Sequence, residues 1–275
     1  MRSAEGVVAG PLVAMLERIS GARDTFGRID VSARAGVPRE PGWTTVADLA
    51  RDTTLLEDLM SRIERKCGAE NRAYAGTTLL RSYLWRTLTP AVATMLTERR
   101  LPDLRAENVA LRFDEDGFAE DLAFVGPRFA TIPDDPEAAH PDAVVLPSEE
   151  AMLDLLSETL AQTHLPAMGS ALRGLRVRRG TRVLWRAASD VCAEAFMYVG
   201  QSMGREKLAL GFGERLLSGP NLPGAADYYR FEHDSGSEMT LVRGTCCLYY
   251  KVADGACFTC PRTTRWERLQ RLAEG

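Results

Sequence analysis

The chain has 275 residues, of which 45% are hydrophobic and 26% are charged, and this composition is that of a globular protein able to bury a substantial core. Its formal net charge of −4 argues against a general nucleic-acid binder. No apolar run approaches the length of a membrane span, and the first residues make a poor signal peptide. We therefore expect a cytoplasmic monomer without a membrane span.

The N-terminal part of the chain carries helical periodicity. Apolar side chains recur at helical intervals over residues 7–20 and 45–67, and a threonine suited to an N-cap begins the second segment. The segment 26–43 is rich in glycine, proline and arginine, which predicts a short strand and a loop. A third helix is predicted over residues 70–99, with Pro90 kinking or splitting it.

The pattern changes period after this helix. Alternating apolar and polar residues over 108–113 and 118–125 flank the acidic turn 114–117, which predicts a β-hairpin. Residues 127–148 are rich in proline and predict a connecting loop.

The rest of the chain predicts further helices and a second hairpin. The hairpin joins residues 228–233 to 239–243 across the polar turn 234–237. The predicted helices cover residues 148–164, 166–175, 181–203, 205–217 and 263–273. Strands and helices come in batches, which favours an α+β class over a parallel sheet.

One short segment with the spacing C-C-x9-C-x2-C contains most of the cysteines: Cys246, Cys247, Cys257 and Cys260. Residues 248–252 predict a short strand and residues 254–255 a turn, so that the chain returns the second pair of cysteines to the first. The other two cysteines, Cys67 and Cys192, lie within predicted helices, where we expect small buried hydrophobic side chains.

Such a segment can hold a metal centre in more than one way. Neighbouring side chains of a strand point to opposite faces, so Cys246 and Cys247 can both be ligands only where the backbone bends. A single tetrahedral zinc is usually held by two CxxC-type turns, and this chain has one, whereas a two-iron cluster tolerates an asymmetric ligand set. We favour an iron–sulfur cluster, with zinc and metal-free thiols or a disulfide as the alternatives.

These features predict a helix-rich α+β protein with antiparallel β-hairpins and a C-terminal cysteine hairpin that carries the cluster. We expect a helical N-terminal lobe over residues 1–104 and an α+β lobe over residues 105–275. The second lobe contains the predicted cluster-binding segment 243–262.

A dense group of arginines surrounds Gly180 within residues 173–186. One interpretation is a solvated turn and the exposed face of a helix. The other is a cationic wall for an anion or for the oxygen-rich shell of a metal chelate, with a tryptophan as its apolar floor. In that case the candidate substrate-binding residues are Arg178, Arg179 and Trp185.

The segment 246–261 resembles the C-terminal signature of the FhuF-like ferric siderophore reductases, because a double cysteine is followed by Gly255 and by the run Cys-Phe-Thr-Cys-Pro. A fainter likeness extends through residues 79–90 and 183–195. The gap of nine residues between the second and third cysteines is one residue shorter than the usual gap of that family. The resemblance implies a 2Fe–2S cluster whose ligands are Cys246, Cys247, Cys257 and Cys260.

The resemblance also implies a ferric siderophore reductase, which passes one electron from the 2Fe–2S cluster to a ferric siderophore, preferably of the hydroxamate type, and releases Fe(II). No flavin, nicotinamide or Walker motif occurs, so an external donor such as a ferredoxin with its reductase must supply the electron. One alternative is a non-catalytic iron–sulfur or zinc sensor or partner-binding protein. A second alternative is a relative of the siderophore synthetases, for which a phosphate-binding motif is missing.

Overall fold

The computed structural model describes residues 10–22, 29–68, 70–233, 236–253 and 255–274. Four parts of the sequence predictions lie outside the described residues: the start of the first helix at residues 7–9, residues 26–28 of the strand and loop, and the turn residues 234–235 and 254.

Helices make up about half of the described residues. Their bounds are α1 Pro11–Gly21, α2 Val46–Leu49, α3 Thr53–Lys66, α4 Arg72–Glu98, α5 Glu149–Thr159, α6 Leu165–Gly174, α7 Thr181–Ser202, α8 Glu206–Ser218 and α9 Arg265–Glu274. A five-residue π-helical turn, Leu160–His164, carries α5 into α6, so the predicted interruption before Pro166 is wrong. Among the described residues, none of these helices combines the length and the apolar character that a membrane span needs.

The strands form mixed sheets. Their bounds are β1 Arg34–Ala35, β2 Thr44–Thr45, β3 Leu101–Pro102, β4 Val109–Phe113, β5 Ala119–Phe124, β6 Phe129–Thr131, β7 Ala143–Val145, β8 Asp227–His233 and β9 Gly236–Val242. The sheet orders are β1-β5-β4-β2, β3-β6-β7 and β8-β9. Both predicted antiparallel hairpins, β4–β5 and β8–β9, are confirmed. Two parallel pairs, β1–β5 and β6–β7, were not predicted, and β6 lies in the predicted proline-rich loop.

The predicted helix over residues 45–67 is divided into α2 and α3. Thr45 caps α2 by accepting a hydrogen bond from the Asp48 amide at 3.1 Å, which agrees with the N-cap prediction. Asp52 then accepts a hydrogen bond from the Leu55 amide at 2.9 Å and starts α3. An N-cap residue has a non-helical backbone, so the cap at Asp52 separates α2 from α3.

The long helix α4 runs unbroken through Pro90, so of the two predicted effects of this proline, a kink or a split, the split is wrong. Proline removes one backbone hydrogen bond, but α4 is buried along most of its length and packs against α1, α3 and α7. Burial of so many side chains outweighs the missing bond. Buried residues on both sides of residue 104 belong to one hydrophobic cluster, and the division into two lobes at that residue stays a prediction.

Candidate metal centre and adjoining groove

Two carboxylates of α7 hold the chain just before the double cysteine. The side chain of Asp190 accepts hydrogen bonds from the amides of Gly244 and Thr245 at 2.6 and 3.0 Å, and from the Thr245 hydroxyl at 2.5 Å. Burial raises the pKa of Asp190 to about 6, although the hydrogen bonds from Thr245 and Gly244 act in the opposite direction. This carboxylate therefore fixes the position of the turn that leads into the cysteines.

Glu194 lies one turn further along α7 and joins two arginines. Its two carboxylate oxygens accept hydrogen bonds from Arg81 of α4 and from Nε of Arg243, both at 2.5 Å. Burial alone would raise the pKa of Glu194, but the two arginines hold it below its usual value. Residues four apart on a helix share one face, so Asp190 and Glu194 both point at the cysteine segment.

The backbone reverses directly after the double cysteine, which makes the predicted strand over residues 248–252 wrong. Leu248 has a left-handed conformation with φ 71°, and a 3₁₀ turn, Tyr249–Lys251, follows. The Leu248 amide donates to Cys246 Sγ at 3.4 Å, and the Tyr249 amide donates to the next cysteine. A strand would place adjacent side chains on opposite faces, whereas this turn gives each sulfur an amide from two residues further on.

The four sulfurs lie in two pairs. Cys246 Sγ and Cys260 Sγ are 3.7 Å apart. Cys247 Sγ and Cys257 Sγ lie 3.8 and 3.6 Å from the same Nη1 atom of Arg243, and these two thiols are hydrogen-bonded to each other. The segment therefore brings together all four predicted ligands from both ends of the motif.

A bound metal ion sets the distance between its ligand sulfurs. A tetrahedral centre with metal–sulfur bonds of 2.3 Å has ligand sulfurs about 3.8 Å apart. The pair Cys246–Cys260 matches that spacing. Among the described residues, no three Cys, His, Asp or Glu side chains gather around a single metal position. Among the described residues, the sulfurs therefore lie as two pairs rather than around one metal position.

The two thiols of the second pair have pKa values shifted in opposite directions. A hydrogen bond from the Cys257 thiol lowers the pKa of Cys247 to about 5, with further help from the Tyr249 amide and the Arg243 guanidinium, while burial opposes the shift. The same hydrogen bond raises the pKa of Cys257. The thiolate is the form of cysteine that binds metals, and the lowered pKa favours this form at Cys247.

A groove of about 620 Å³ opens beside this second pair. Cys247 and Cys257 lie in its wall together with the Arg81, Glu194 and Arg243 side chains. Aromatic side chains form most of the remaining wall: Tyr74, Trp85, Phe118, Tyr198 and Tyr249.

This groove was not predicted from the sequence. Its α4 wall is formed by Tyr74, Thr78, Arg81, Ser82 and Trp85. These residues recur at the spacing of one helix face, and they mix aromatic, hydroxyl and charged groups. In the sequence, this polar and aromatic stripe within an otherwise buried helix was the signal that could have indicated the groove.

The candidate substrate-binding residues from the arginine-rich segment lie elsewhere. Arg178 is exposed, and Arg179 donates a hydrogen bond to the Cys246 carbonyl oxygen at 2.6 Å. Trp185 is half-buried on α7 and packs against the hydrophobic core. None of the three lines the groove, and their role in substrate binding stays a prediction.

Comparisons with known proteins place the chain in a family context. The sequence profile of a family described as "Ferric iron reductase FhuF-like transporter" matches residues 77–235, more than half of the chain, and ends before the cysteine motif. No curated protein matches the sequence. The ATP-bound aerobactin synthetase IucA from a hypervirulent pathotype of Klebsiella pneumoniae is a similar solved structure, with 15% identity and a TM-score of 0.46. That match covers 56% of this chain and 29% of the synthetase chain.

Proposed function

Because this chain belongs to the FhuF-like ferric iron reductase family, we propose that it is a ferric siderophore reductase with a 2Fe–2S cluster. The proposed ligands are Cys246, Cys247, Cys257 and Cys260. The observation that carries the proposal is the position of Cys247 and Cys257 in the wall of the groove, where a bound ferric chelate would lie beside the metal centre.

The chemistry of siderophores explains why one electron is sufficient. Their oxygen donors are hard ligands that hold Fe(III) far more tightly than Fe(II), so that reduction loosens the iron. When bound, a 2Fe–2S cluster supplies one electron, which is the number that converts Fe(III) to Fe(II). The electron comes from an external carrier, such as a ferredoxin with its reductase, because the sequence contains no nucleotide-binding motif.

The groove has the size and lining of a small-molecule site. Its volume of about 620 Å³ lies within the range of such sites, which are mostly apolar with a few polar groups. The side chains of Trp85 and Phe118 offer apolar contacts to the organic shell of a chelate. The groove contains two arginines but also Glu194 and two cysteine sulfurs, so its charge is largely balanced. A chelate with little net charge, such as a ferric trihydroxamate, suits this lining better than a highly anionic tris-catecholate.

Arg243 has a supporting role in this proposal. Its Nη1 lies within 3.8 Å of both groove-facing sulfurs, and Glu194 holds its Nε. Hydrogen bonds and positive charge beside metal-bound thiolates stabilise their negative charge and thereby tune the metal centre.

The proposal is tested with freshly purified protein under anaerobic conditions. We expect a brown protein whose visible absorption bleaches with dithionite but not with NADPH alone. Addition of an Fe(III) hydroxamate should restore the absorption, and about one Fe(II) per protein should be trapped by a ferrous chelator. A dithionite-bleached protein that transfers nothing to any ferric chelate would contradict the reductase function and favour a sensor. A colourless protein with one zinc per chain would contradict the cluster.

A further inference from the structure

The two pairs of sulfurs have different surroundings. One pair lines the groove, whereas the other, Cys246 with Cys260, does not. Two basic residues contact this second pair. Arg179 donates to the Cys246 carbonyl oxygen at 2.6 Å, and the Arg262 amide donates to Cys260 Sγ at 3.5 Å.

Four basic side chains gather here, and we call them the basic face: Arg178, Arg179, Lys251 and Arg262. The guanidinium carbon of Arg262 lies 4.6 Å from the ring centroid of Tyr250. Lys251 follows Tyr250 in the 3₁₀ turn. Three of the four side chains are exposed, and Arg179 is half-buried.

The charge of the basic face differs from that of the groove. In the groove, Arg81 and Arg243 share the carboxylate of Glu194. Among the described residues, the partners of the guanidinium groups on the basic face are a carbonyl oxygen and an aromatic ring, neither of which carries a negative charge. An arginine stays protonated at physiological pH, so this positive charge persists beside the second pair of cysteines.

The last helix is held against the cysteine segment. Arg268 of α9 is buried and donates to the carbonyl oxygens of Phe258 and Cys260 at 2.8 and 3.0 Å, which fixes α9 against the cysteine segment. Trp266, two residues earlier, is 69% exposed.

We propose that the basic face is the docking surface for an acidic one-electron carrier protein of the ferredoxin class. This inference rests on the proposed reductase function. The reduced carrier loses one electron beside Cys246 and Cys260, and the Fe(III) of the chelate in the groove gains one electron beside the other pair. Encounters between redox proteins use small, charge-steered interfaces, so a few cationic side chains suffice. Separate surfaces allow the carrier and the chelate to be bound at the same time.

The inference is tested by direct binding of an acidic plant-type 2Fe–2S ferredoxin to the purified holoprotein at low and at high salt. The variants are Lys251→Glu and the double variant Lys251→Glu with Arg262→Glu. We expect the dissociation constant to rise by about threefold and tenfold at low salt, and high salt to weaken binding by the parent protein. The matched controls are Lys207→Glu and the double variant Lys207→Glu with Arg215→Glu, which change the net charge equally at a separate cleft on α8. These controls should stay within about twofold of the parent.

Three outcomes would overturn the inference. Equal weakening by the test and control variants would mean that net charge alone attracts the ferredoxin. Absence of ferredoxin binding, in a parent protein whose dithionite-reduced form still reduces a ferric chelate, would refute the docking face and leave the proposed function intact. A short DNA duplex that competes fully with the ferredoxin at physiological salt would assign the face to nucleic acid. Failure of the proposed function appears in a different measurement, as a dithionite-reduced protein that transfers no electron to a chelate.

Discussion

Arg243 and Glu194 form the ion pair that joins the cysteine segment to the helical core. The guanidinium donates Nε–H to a carboxylate whose side chain is only 5% exposed, and its Nη1 lies beside two sulfurs of the proposed cluster. Arg81 holds the other oxygen of the same carboxylate. The position of Arg243 beside the sulfurs therefore depends on one buried negative charge.

Replacing Glu194 by a neutral residue should lower the stability of the folded protein. In Glu194→Gln two largely buried arginines lose their shared counter-ion, and we expect the free energy of unfolding to fall by about 3 kcal/mol. Urea denaturation at neutral pH measures this loss. The exposed Glu158→Gln serves as the control and should change stability by less than about 0.5 kcal/mol. An unchanged stability of Glu194→Gln would mean that the pair contributes nothing to the fold.

The ligand assignment predicts the effect of single cysteine substitutions. Serine at any one of the four paired positions should abolish or strongly alter the visible absorption, because each sulfur is a proposed metal ligand: Cys246, Cys247, Cys257 and Cys260. Cys67→Ser is the control, since Cys67 is half-buried and its thiol donates to the Tyr74 hydroxyl rather than to a sulfur of either pair. A normal spectrum in any one of the four variants would remove that residue from the ligand set.

Binding of the chelate in the groove and binding at the arginine-rich segment predict different effects of tryptophan substitutions. If the chelate occupies the groove, Trp85→Ala should raise the dissociation constant for a ferric hydroxamate by about tenfold, because an apolar wall is lost, while the cluster spectrum stays unchanged. The half-buried Trp43, which packs between Arg34 and Arg112, supplies a matched Trp→Ala control. A loss of binding in Trp185→Ala, with none in Trp85→Ala, would assign the chelate to the arginine-rich segment instead.

Because His164 is buried, we expect the folded protein to lose stability in mild acid. It is fully buried below the Tyr83 ring, its Nε2 is 2.6 Å from the Leu104 carbonyl oxygen, and its Nδ1 has no partner among the described residues. Burial lowers the pKa of His164 to about 4. The unfolded chain takes up this proton near pH 6.5 and the folded chain does not, so the stabilising contribution is complete above pH 6.5 and falls as the pH decreases towards 4.

The measurement is urea denaturation at pH 7 and pH 5. The parent should lose about 2 kcal/mol more than His164→Gln over this interval, because glutamine keeps an N–H donor but does not titrate. Comparing the two proteins cancels the contributions of other titrating groups, such as Asp190. Parallel pH profiles would show that His164 does not titrate as its burial requires.

Local sequence patterns predicted most helices and both antiparallel hairpins, and the failures have identifiable causes. The helix over residues 45–67 was divided by the Asp52 cap, and the strand expected after the double cysteine is a turn that begins with left-handed Leu248. Both errors arise because one residue can override the average propensity of its neighbours. The parallel strands β6 and β7 were missed because each has only three residues and both lie in the proline-rich segment that predicts a loop.

The sequence by itself determined the proposed ligands, since the four cysteines lie within one short segment and their spacing is a local property. Only the tertiary structure decided how the sulfurs pair, that Glu194 joins Arg81 to Arg243, and that a stripe of α4 forms a groove beside Cys247 and Cys257. Spacing along a chain fixes which groups can meet across a turn. Contacts between segments far apart in sequence depend instead on the packing of the whole core, which no single segment encodes.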